Sequence, residues 1–579
     1  MISRPVSCSS LSRACSPLQE SRPRSSRPPG AIHRPSRRIA DPRLRILTSL
    51  VCEGRRPPYA GAAPRLRLGG SIDPTAHLHY HRSDFSPNRA ASGSPRGAVD
   101  AGGAMRGDGD QEPLRVGAIR EGAIEDLAYG GLGILRDGGW VVQVRGAFPG
   151  DRVRVRLRRK RRSYFEGELL EILAPSPERI PPRCPHLPLC GGCPLQGLAP
   201  DAQTRWKAHQ AVELLARIGR LRPREIAEPW SSPCPWYYRN KMEFTFGRRP
   251  WVSRETLEAG GPLPPGPALG LHPRGRFQGV FDVSDCRLQS RLSNRIVITV
   301  RELARAGGLA VYDSRDDAGL LRHLVVRQAA TSPDCVVVIV ARHEAPELAA
   351  LAAELCARVP EITGVVAAIN TRRATVAQGD YEIPLRGEAQ WRETVAGLCY
   401  RIGASSFFQT QTRGAETLIA EVLAHGDLRP DQRVLDLYCG VGAFSLPLAQ
   451  RVEELWGVEL LEGAVEEARA NAAANAMRNV RFRAEAVEAK QTPAWARERW
   501  DLVLLDPPRS GLHPRALQRL IDLRPPRIVY VSCNPSTLAR DAGALVADAG
   551  YHARRLRVYD LFPQTPHLES MLFLDRQGA

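Results

Sequence analysis

Ile528-Val-Tyr-Val-Ser-Cys-Asn-Pro535, close to the end of the chain, is the stretch on which the predicted fold depends. Its first four residues are β-branched or aromatic, which is typical of a buried strand, and the Ser-Cys-Asn-Pro tetrapeptide ends that strand. The thiol of Cys533 therefore lies at the carboxyl end of a predicted parallel strand, the edge where open α/β sheets bind ligands. A free cysteine is more often a small buried hydrophobe, so the strand alone does not identify a nucleophile.

Strand-like and helix-like patterns alternate in the residues before this stretch. Apolar runs at 433–437, 454–458, 480–482 and 501–505 are separated by helical patterns, among them a helix through Asn475. This alternation predicts a doubly wound parallel sheet, and the C-terminal part of the chain is therefore expected to be a Rossmann-like α/β domain.

The first of these strands runs into a glycine turn, Tyr438-Cys-Gly-Val-Gly442. The turn lacks the third glycine of the G-x-G-x-x-G dinucleotide fingerprint, which argues against a nicotinamide cofactor. The second strand is closed by Glu459, whose carboxylate is suited to ribose hydroxyls. Together with the acidic Asp436 in the first strand, these features are typical of a site for S-adenosylmethionine.

Two further segments contribute acidic residues near the same sheet edge. Asp506-Pro-Pro-Arg-Ser-Gly511 ends the fourth strand, and Phe562–Ser570, with Glu569 near its end, leads into a closing strand. Taken singly, Asp506 is equally well explained as a helix cap and Glu569 as a solvated turn residue. Their combination with Cys533 favours a catalytic site in one crevice.

The segment from Leu114 to residue 173 consists of short alternating strands with glycine turns, which predicts a small five-stranded, OB-like barrel. In Arg152–Leu157 arginines alternate with apolar residues, so three guanidinium groups share one strand face. Such a face suits the backbone of a nucleic acid. The alternative is an edge strand that charge protects from pairing with other strands.

Cys184, Cys190 and Cys193 form a C-x5-C-x2-C loop rich in glycine and proline. In a reducing compartment such a cluster predicts a metal centre and not disulfides. Zinc sites more often use paired C-x2-C units, whereas three local thiolates and one distant cysteine suit a [4Fe–4S] cluster. The candidates for the fourth ligand are Cys234, Cys286, Cys335 and Cys356.

Length and charge set the class of protein. The 579 residues are enough for roughly three or four folded units. The formal net charge is +19, and residues 1–105, with 17 arginines, no lysine and 6 acidic residues, contribute +11 of it. No run of about 18 apolar residues could span a bilayer and no secretory signal is evident, so a cytoplasmic monomer without a membrane partner is expected.

Residues 1–105 are rich in Arg, Ser, Pro and Gly, which predicts a disordered extension. The composition also resembles an organellar transit peptide, although proline is frequent for an amphipathic helix. The preferred interpretation is a mis-set start, with translation beginning at Met105.

Several motifs together resemble a known family. The turns Tyr129–Gly133 and Pro149–Asp151 resemble those of a TRAM domain, an RNA-binding OB-like module. The cysteine loop resembles the iron–sulfur branch of the RNA uracil-C5-methyltransferases, of the 23S ribosomal RNA type, and five further motifs share that resemblance over residues 112–579: Tyr238–Phe244, Asp282–Leu288, Leu321–Arg327, Asp506–Arg509 and Ser532–Pro535.

The resemblance implies a TRAM barrel at 112–173, a central α+β iron–sulfur domain at 176–400 and a methyltransferase domain at 401–579. It implies Cys286 as the fourth cluster ligand. It also implies the site residues, with Cys533 as nucleophile, Glu569 as base, and a cofactor site lined by Gln409, Tyr438, Glu459 and Asp506. The implied partner is RNA, preferably large ribosomal RNA, with tRNA as the alternative substrate.

The chemistry explains why these residue types are needed. Uracil C5 is too weak a nucleophile to accept a methyl group unaided, whereas a thiolate added at C6 turns the ring into an enolate that reacts at C5. A base must then remove the C5 proton. Two positions depart from the family pattern, Ala443 and Glu485-Ala486, and they are the only support for a different class of protein, an RNA-binding protein without activity.

Overall fold

The computed structural model describes residues 114–578, except 188, 259, 261–264, 277 and 375. The predictions for residues 1–105 lie outside these described residues. The described residues belong to one compact unit, Arg106–Ala579. Within the described part of the chain, no helix has the length and apolar character needed to cross a membrane.

The elements are numbered in chain order. The strands are β1 (Ile119–Ala128), β2 (Leu132–Asp137), β3 (Trp140–Arg145), β4 (Arg152–Lys160), β5 (Tyr164–Ala174), β6 (Glu225–Ile226), β7 (Trp230–Ser231), β8 (Lys241–Gly247), β9 (Ala268–Leu271), β10 (Phe281–Asp282), β11 (Leu321–Gln328), β12 (Cys335–Ala341), β13 (Gly364–Ile369), β14 (Tyr381–Gly387), β15 (Gln390–Val395), β16 (Leu398–Gly403), β17 (Arg433–Leu437), β18 (Glu454–Glu459), β19 (Val480–Ala484), β20 (Leu502–Leu505), β21 (Arg527–Ser532), β22 (Tyr551–Asp560) and β23 (Glu569–Arg576). The α-helices are α1 (Pro200–Arg217), α2 (Arg254–Glu258), α3 (Arg291–Ala306), α4 (Pro346–Arg358), α5 (Thr412–His425), α6 (Ser445–Ala449), α7 (Glu462–Ala474), α8 (Pro514–Leu523) and α9 (Pro535–Ala549), and a 3-10 helix spans Ala494–Arg497.

Strands β1 to β5 close into a barrel in the order β1-β2-β3-β5-β4. The apolar residues of β4, such as Val153 and Val155, point inward and are fully buried, while its arginines point outward. Because β4 pairs with both β1 and β5, it is not an edge strand, and the alternative interpretation of its charge is wrong.

The outward arginines of β4 lie beside carboxylates on the neighbouring strands. Arg154 Nε is 2.7 Å from Glu121 Oε1 on β1, and Arg158 Nε is 3.0 Å from Glu168 Oε2 on β5. Glu171 on β5 is a second partner of Arg154. The predicted basic face is therefore a ladder of exposed ion pairs, which weakens its attraction for a polyanion compared with bare arginines.

The central sheet has the order β10-β9-β8-β11-β12-β13-β14. Helices α3 and α4 cover one face, and Cys335, at the start of β12, is a fully buried core residue of that layer. On the other face, valines of β12 and β13 share a hydrophobic core with Trp391 of the β15–β16 hairpin and Phe408. The central sheet therefore packs directly against the catalytic unit.

The catalytic sheet has the order β19-β18-β17-β20-β21-β23-β22-β6, and β7 also pairs with β22. The first five of these strands are parallel, and β23 enters antiparallel between β21 and β22. This mixed α/β sheet agrees with the predicted Rossmann-like domain. Its edge is completed by β6 and β7, which come from the segment assigned to the central domain.

Helix α1 also belongs to that segment, yet it packs on α9 and β22 of the catalytic sheet. Lys207 Nζ lies 2.6 Å from Asp560 Oδ1, and both residues are buried. Lys207 also donates to the carbonyl oxygen of Phe562 at 3.1 Å. Burial raises the pKa of Asp560 and lowers that of Lys207, so each charge is tolerated only because the other is present.

Removing one member of this pair should therefore destabilise the protein strongly. We expect Lys207→Ala to cost about 3–5 kcal/mol, since it leaves Asp560 buried and uncompensated. The matched control on the same helix is Arg217→Ala, which removes an exposed ion pair with Glu213 and should cost less than about 0.5 kcal/mol. Urea denaturation measures both, and equal midpoints for the two variants would contradict the assignment.

Candidate active site

Five neighbouring strands of the catalytic sheet end, or in one case begin, at the same edge. In sheet order, Glu459 closes β18, Tyr438 follows β17, Asp506 follows β20, Cys533 follows β21, and Glu569 opens β23. The structure therefore brings these predicted site residues to one edge, where parallel sheets bind their ligands.

Local hydrogen bonds explain the Ser-Cys-Asn-Pro sequence. Ser532 Oγ accepts from the Asn534 N–H at 3.2 Å and so closes a tight turn around Cys533. Asn534 caps α9, with its Oδ1 accepting from the Ser536 N–H at 3.1 Å, and Pro535 takes the first helical position. The turn leaves Cys533 only partly buried, with its side chain at the sheet edge.

The pairing of β21 with β23 sets the partner of Cys533. The antiparallel register ends with Ser532 opposite Ser570, so Cys533 and Glu569 are the next residues beyond this pair, and the charge of Glu569 acts on the thiol. Directly opposed residues on an antiparallel pair have neighbouring side chains on one face. Glu569 is 4% exposed, and among the described residues its Oε2 has no hydrogen-bond partner. An unpartnered carboxylate oxygen beside a thiol is thus available to a substrate.

Burial dominates the electrostatics of this group. It raises the pKa of Cys533 to about 12, with the negative charges of Glu569 and Asp506 adding to the effect and Arg509 opposing it. Burial also raises the pKa of Glu569 well above its ordinary range, again opposed by Arg509. A carboxyl group with a raised pKa is a stronger base once it has lost its own proton, which suits removal of a carbon-bound proton.

Asp506 connects this group to the predicted cofactor side. Although the residue as a whole is only partly buried, its carboxyl is enclosed by protein, and burial raises its pKa. Gln409 Nε2 lies 3.5 Å from Asp506 Oδ2 and opposes that rise. The two predicted cofactor residues therefore meet, although they are almost a hundred positions apart in sequence.

The loop that carries Gln409 is held from two sides. Asn240, at the entry to β8 of the central sheet, donates from Nδ2 to the Gln409 carbonyl oxygen at 2.9 Å. Glu467 of α7 accepts from the Gly403 N–H at 2.9 Å and from Ser406 Oγ at 2.7 Å. The sequence did not indicate Asn240 or Glu467 as supporting residues, because each lies far along the chain from the loop residues that it contacts.

The glycine turn lies beside Glu459. Tyr438 adopts a left-handed conformation with φ of 67°, and the Gly440 N–H donates to Glu459 Oε2 at 3.2 Å. Glu459 Oε1 accepts from the backbone N–H groups of Leu460 and Leu461. This carboxylate is therefore fixed at the strand end, where predicted ribose recognition requires it.

The predicted cluster ligands are also near one another. His186, inside the cysteine loop, accepts at Nε2 from the Ser284 N–H at 3.1 Å, which brings the segment that contains Cys286 against the loop. Burial raises the pKa of Cys193, and the charges of Cys286, Cys190 and Cys184 raise it further. Burial raises the pKa of Cys286 to about 11, backbone hydrogen bonds oppose the rise, and the charges of Cys190 and Cys184 add to it.

The arrangement of these thiols can be compared with the needs of a metal centre. In the described part of the chain, no group of three or more His, Cys, Asp or Glu side chains is arranged to hold one metal ion. The four thiols nevertheless lie within electrostatic reach, and the Gly192 N–H donates to Cys190 Sγ at 3.4 Å. Backbone N–H groups aimed at sulfur and a mutually repelling thiol set are compatible with a multi-iron cluster, which is wider than one ion.

The catalytic part of the chain is similar in sequence to known enzymes. A family profile described as tRNA (Uracil-5-)-methyltransferase matches residues 392–577. An uncharacterized RNA methyltransferase of Porphyromonas gingivalis is 36% identical over 461 residues, which cover 78% of this chain and 99% of that protein. The chain belongs to the RNA uracil-5-methyltransferase family. It is therefore an RNA uracil-C5 methyltransferase that uses S-adenosylmethionine.

Two other proteins extend the similarity of this methyltransferase over most of its length. An uncharacterized RNA methyltransferase of Halalkalibacterium halodurans is 32% identical over 468 residues, covering 80% of this chain and 98% of that protein. The crystal structure of the Pyrococcus abyssi tRNA (uracil-54, C5)-methyltransferase, in complex with S-adenosyl-L-homocysteine, has a TM-score of 0.60 and 27% sequence identity. The structural match covers 79% of this chain and 100% of the Pyrococcus abyssi chain.

The raised pKa of Cys533 predicts how its reactivity depends on pH in the free enzyme. Because only the thiolate reacts and the pKa is about 12, alkylation by iodoacetamide should rise about tenfold per pH unit from about pH 7 to pH 9 without a plateau. Mass spectrometry of the peptide that contains Cys533 measures the rate, and the exposed Cys399 is the internal reference. A plateau below about pH 9 would show that the free enzyme stabilises the thiolate, against this prediction.

Proposed function

We propose that this methyltransferase acts through a covalent adduct between Cys533 and C6 of the target uridine. The observation that carries the proposal is the β21–β23 register, which ends immediately before Cys533 on one strand and at the residue after Glu569 on the other. The charges of Glu569 and Asp506 both act on the Cys533 thiol at this sheet edge. A cysteine that was only a core residue would not need two buried carboxyl groups beside it.

Each step of the proposed reaction has a residue assigned to it. The Cys533 thiolate adds to C6, which forms the S–C6 bond and moves the negative charge from sulfur to the uracil enolate. S-adenosylmethionine, when bound, would supply a methyl group activated by its sulfonium to the enolate carbon C5, and S-adenosylhomocysteine would be the leaving group. Glu569 removes the C5 proton, the electron pair of that C–H bond re-forms the C5–C6 double bond, and the S–C6 bond breaks.

Charge transfer to the ring explains why a thiol with a high pKa can serve here. Burial disfavours the free thiolate, whereas in the adduct the sulfur carries no charge and the negative charge is delocalised over the enolate. The target uridine must leave its base stack to reach this edge, at a cost of a few kcal/mol. Gln409, Tyr438, Glu459 and Asp506 are the residues proposed to line the cofactor site.

The proposed substrate is a uridine of large ribosomal RNA. Its support is the combination of a five-stranded barrel and a cysteine loop, which resembles that branch of the family. tRNA is the second candidate substrate, because the similar Pyrococcus abyssi enzyme is named as a tRNA (uracil-54, C5)-methyltransferase and is covered over its whole length.

We further propose that the barrel at 112–173 is a TRAM domain, followed by a central domain at 176–400 and a methyltransferase domain at 401–579. In this division the sequence range of the central domain includes α1, β6 and β7. In the fold, however, β6 and β7 pair with the catalytic sheet and α1 packs against it. Cys184, Cys190, Cys193 and Cys286 are the proposed ligands of a [4Fe–4S] cluster with a structural role.

Trapping with modified RNA tests both the mechanism and the substrate. With cofactor and transcripts that carry 5-fluorouridine, the wild-type enzyme should form a denaturation-resistant adduct, because a base cannot remove fluorine from C5. Cys533→Ala should form none, while the exposed control Cys399→Ala should form it normally. Glu569→Gln should accumulate the adduct even on ordinary uridine, since only proton removal is blocked.

The substrate follows from which transcript is trapped. We expect a large ribosomal RNA fragment to be trapped faster than tRNA; the reverse ranking would favour the second candidate. An adduct that survives Cys533→Ala would exclude the proposed nucleophile.

The cluster proposal is tested by iron content and visible absorbance after anaerobic purification. Cys286→Ser should lose most of both, because one of four ligands is absent. Cys356→Ser is the control, since Cys356 packs against the same central core as Cys286 but is not a proposed ligand. Unchanged iron in Cys286→Ser, or equal loss in both variants, would contradict the assignment of Cys286.

A further inference from the structure

The barrel reaches into the catalytic site through one turn. Tyr129 directly follows β1, and its hydroxyl lies 3.5 Å from the carbonyl oxygen of Cys533. The same hydroxyl is 3.4 Å from Arg509 Nη2, in the loop after β20. A tyrosine hydroxyl has one O–H donor and acceptor lone pairs, so it can donate to the carbonyl and accept from the guanidinium together.

Contacts on both sides fix this turn. Gln210 of α1 donates from Nε2 to the Leu127 carbonyl oxygen at 2.7 Å, just before the turn. Gly131, with φ of 80°, packs so closely that an added Cβ would lie 3.2 Å from Leu195 and 3.5 Å from Pro566. Tyr129 is therefore held in place by α1 and by the segment that leads to Glu569, and its position does not depend on a flexible barrel linker.

Arg509 is the cation through which Tyr129 can affect the chemistry. It lowers the pKa of Cys533, of Glu569 and of Tyr129 itself, against the effect of burial. The other charged or titratable groups that face the thiol are Asp506 and Glu569, which both raise its pKa. His567 Nδ1 also lies 3.4 Å from Arg509 Nη2.

We propose that Tyr129 is a positioning residue of the methyl-transfer site, whose hydroxyl holds the Cys533 turn and the Arg509 guanidinium in register. The inference rests on the proposed role of Cys533 as nucleophile. It assigns the barrel a second task besides RNA binding, because a residue of the first folded unit completes the catalytic centre of the last. Loss of the hydroxyl removes one of the contacts that hold the guanidinium near the thiol, so the guanidinium opposes the effect of burial on the thiol less strongly.

The aromatic ring has a separate, structural role. Tyr129 packs against the apolar core beneath the catalytic sheet edge, next to Tyr438 and residues of α1. Tyr129→Phe keeps this packing and removes only the hydroxyl, so it isolates the positioning role. Tyr164→Phe is the matched control, because it removes a hydroxyl that interacts with Arg161 on the same barrel.

Two rates and one affinity test the proposal in the full-length enzyme. For Tyr129→Phe we expect adduct formation with 5-fluorouridine RNA to slow about tenfold, the size expected when a hydrogen bond to a charged group is lost. Alkylation of Cys533 at fixed pH should slow about threefold to tenfold, because less thiolate is present. RNA affinity should stay within about twofold, and Tyr164→Phe should match the wild type in all three measurements.

Wild-type rates in Tyr129→Phe, or slowing that Tyr164→Phe reproduces, would overturn the proposal. A Tyr129→Phe variant that loses RNA affinity but keeps the alkylation rate would show that Tyr129 is an RNA contact instead. If the wild type forms no adduct, the proposed nucleophile fails. The comparison of alkylation rates still decides whether Tyr129 acts on the Cys533 thiol.

Discussion

The antiparallel pairing of β23 with β21 is the constraint on which the catalytic site depends. In the observed register Ser570 lies opposite Ser532, and Glu569 and Cys533 are the next residues beyond this pair. A slip of one residue would turn Glu569 to the opposite face of the sheet and remove it from the thiol. Buried apolar residues such as Met571 and Phe573 resist such a slip, because it would move them out of the cores they fill.

The site concentrates acidic groups where water is largely excluded. Cys533, Asp506 and Glu569 all have raised pKa values, and burial is the first cause in each case. Their mutual repulsion means that the free enzyme does not favour all three charges at once. Arg509 opposes the effect for both Cys533 and Glu569, so the position of one exposed guanidinium influences two groups with different roles.

The parts of this arrangement that could be predicted from sequence are local. Strands β17, β18, β20 and β21 fall where apolar runs indicated them, and the turns after them follow from glycine and proline. The strand-end positions of Cys533, Asp506 and Glu459 follow from the same pattern. β6 and β7 could not be predicted, because strands of two residues have no periodicity of their own and exist only through pairing with β22.

The partners of charged and polar residues could not be predicted from the sequence either. In the sequence Arg154 belongs to a predicted basic face. In the closed barrel, however, Glu121 and Glu171 lie beside it. In the sequence Tyr129 is only one residue of a glycine turn. In the fold its hydroxyl approaches the carbonyl oxygen of Cys533, which is more than four hundred positions away in the chain. Since contacts of this kind arise only when α1 and the barrel dock on the catalytic sheet, that sheet and its helices taken alone would lack part of the structure around Cys533.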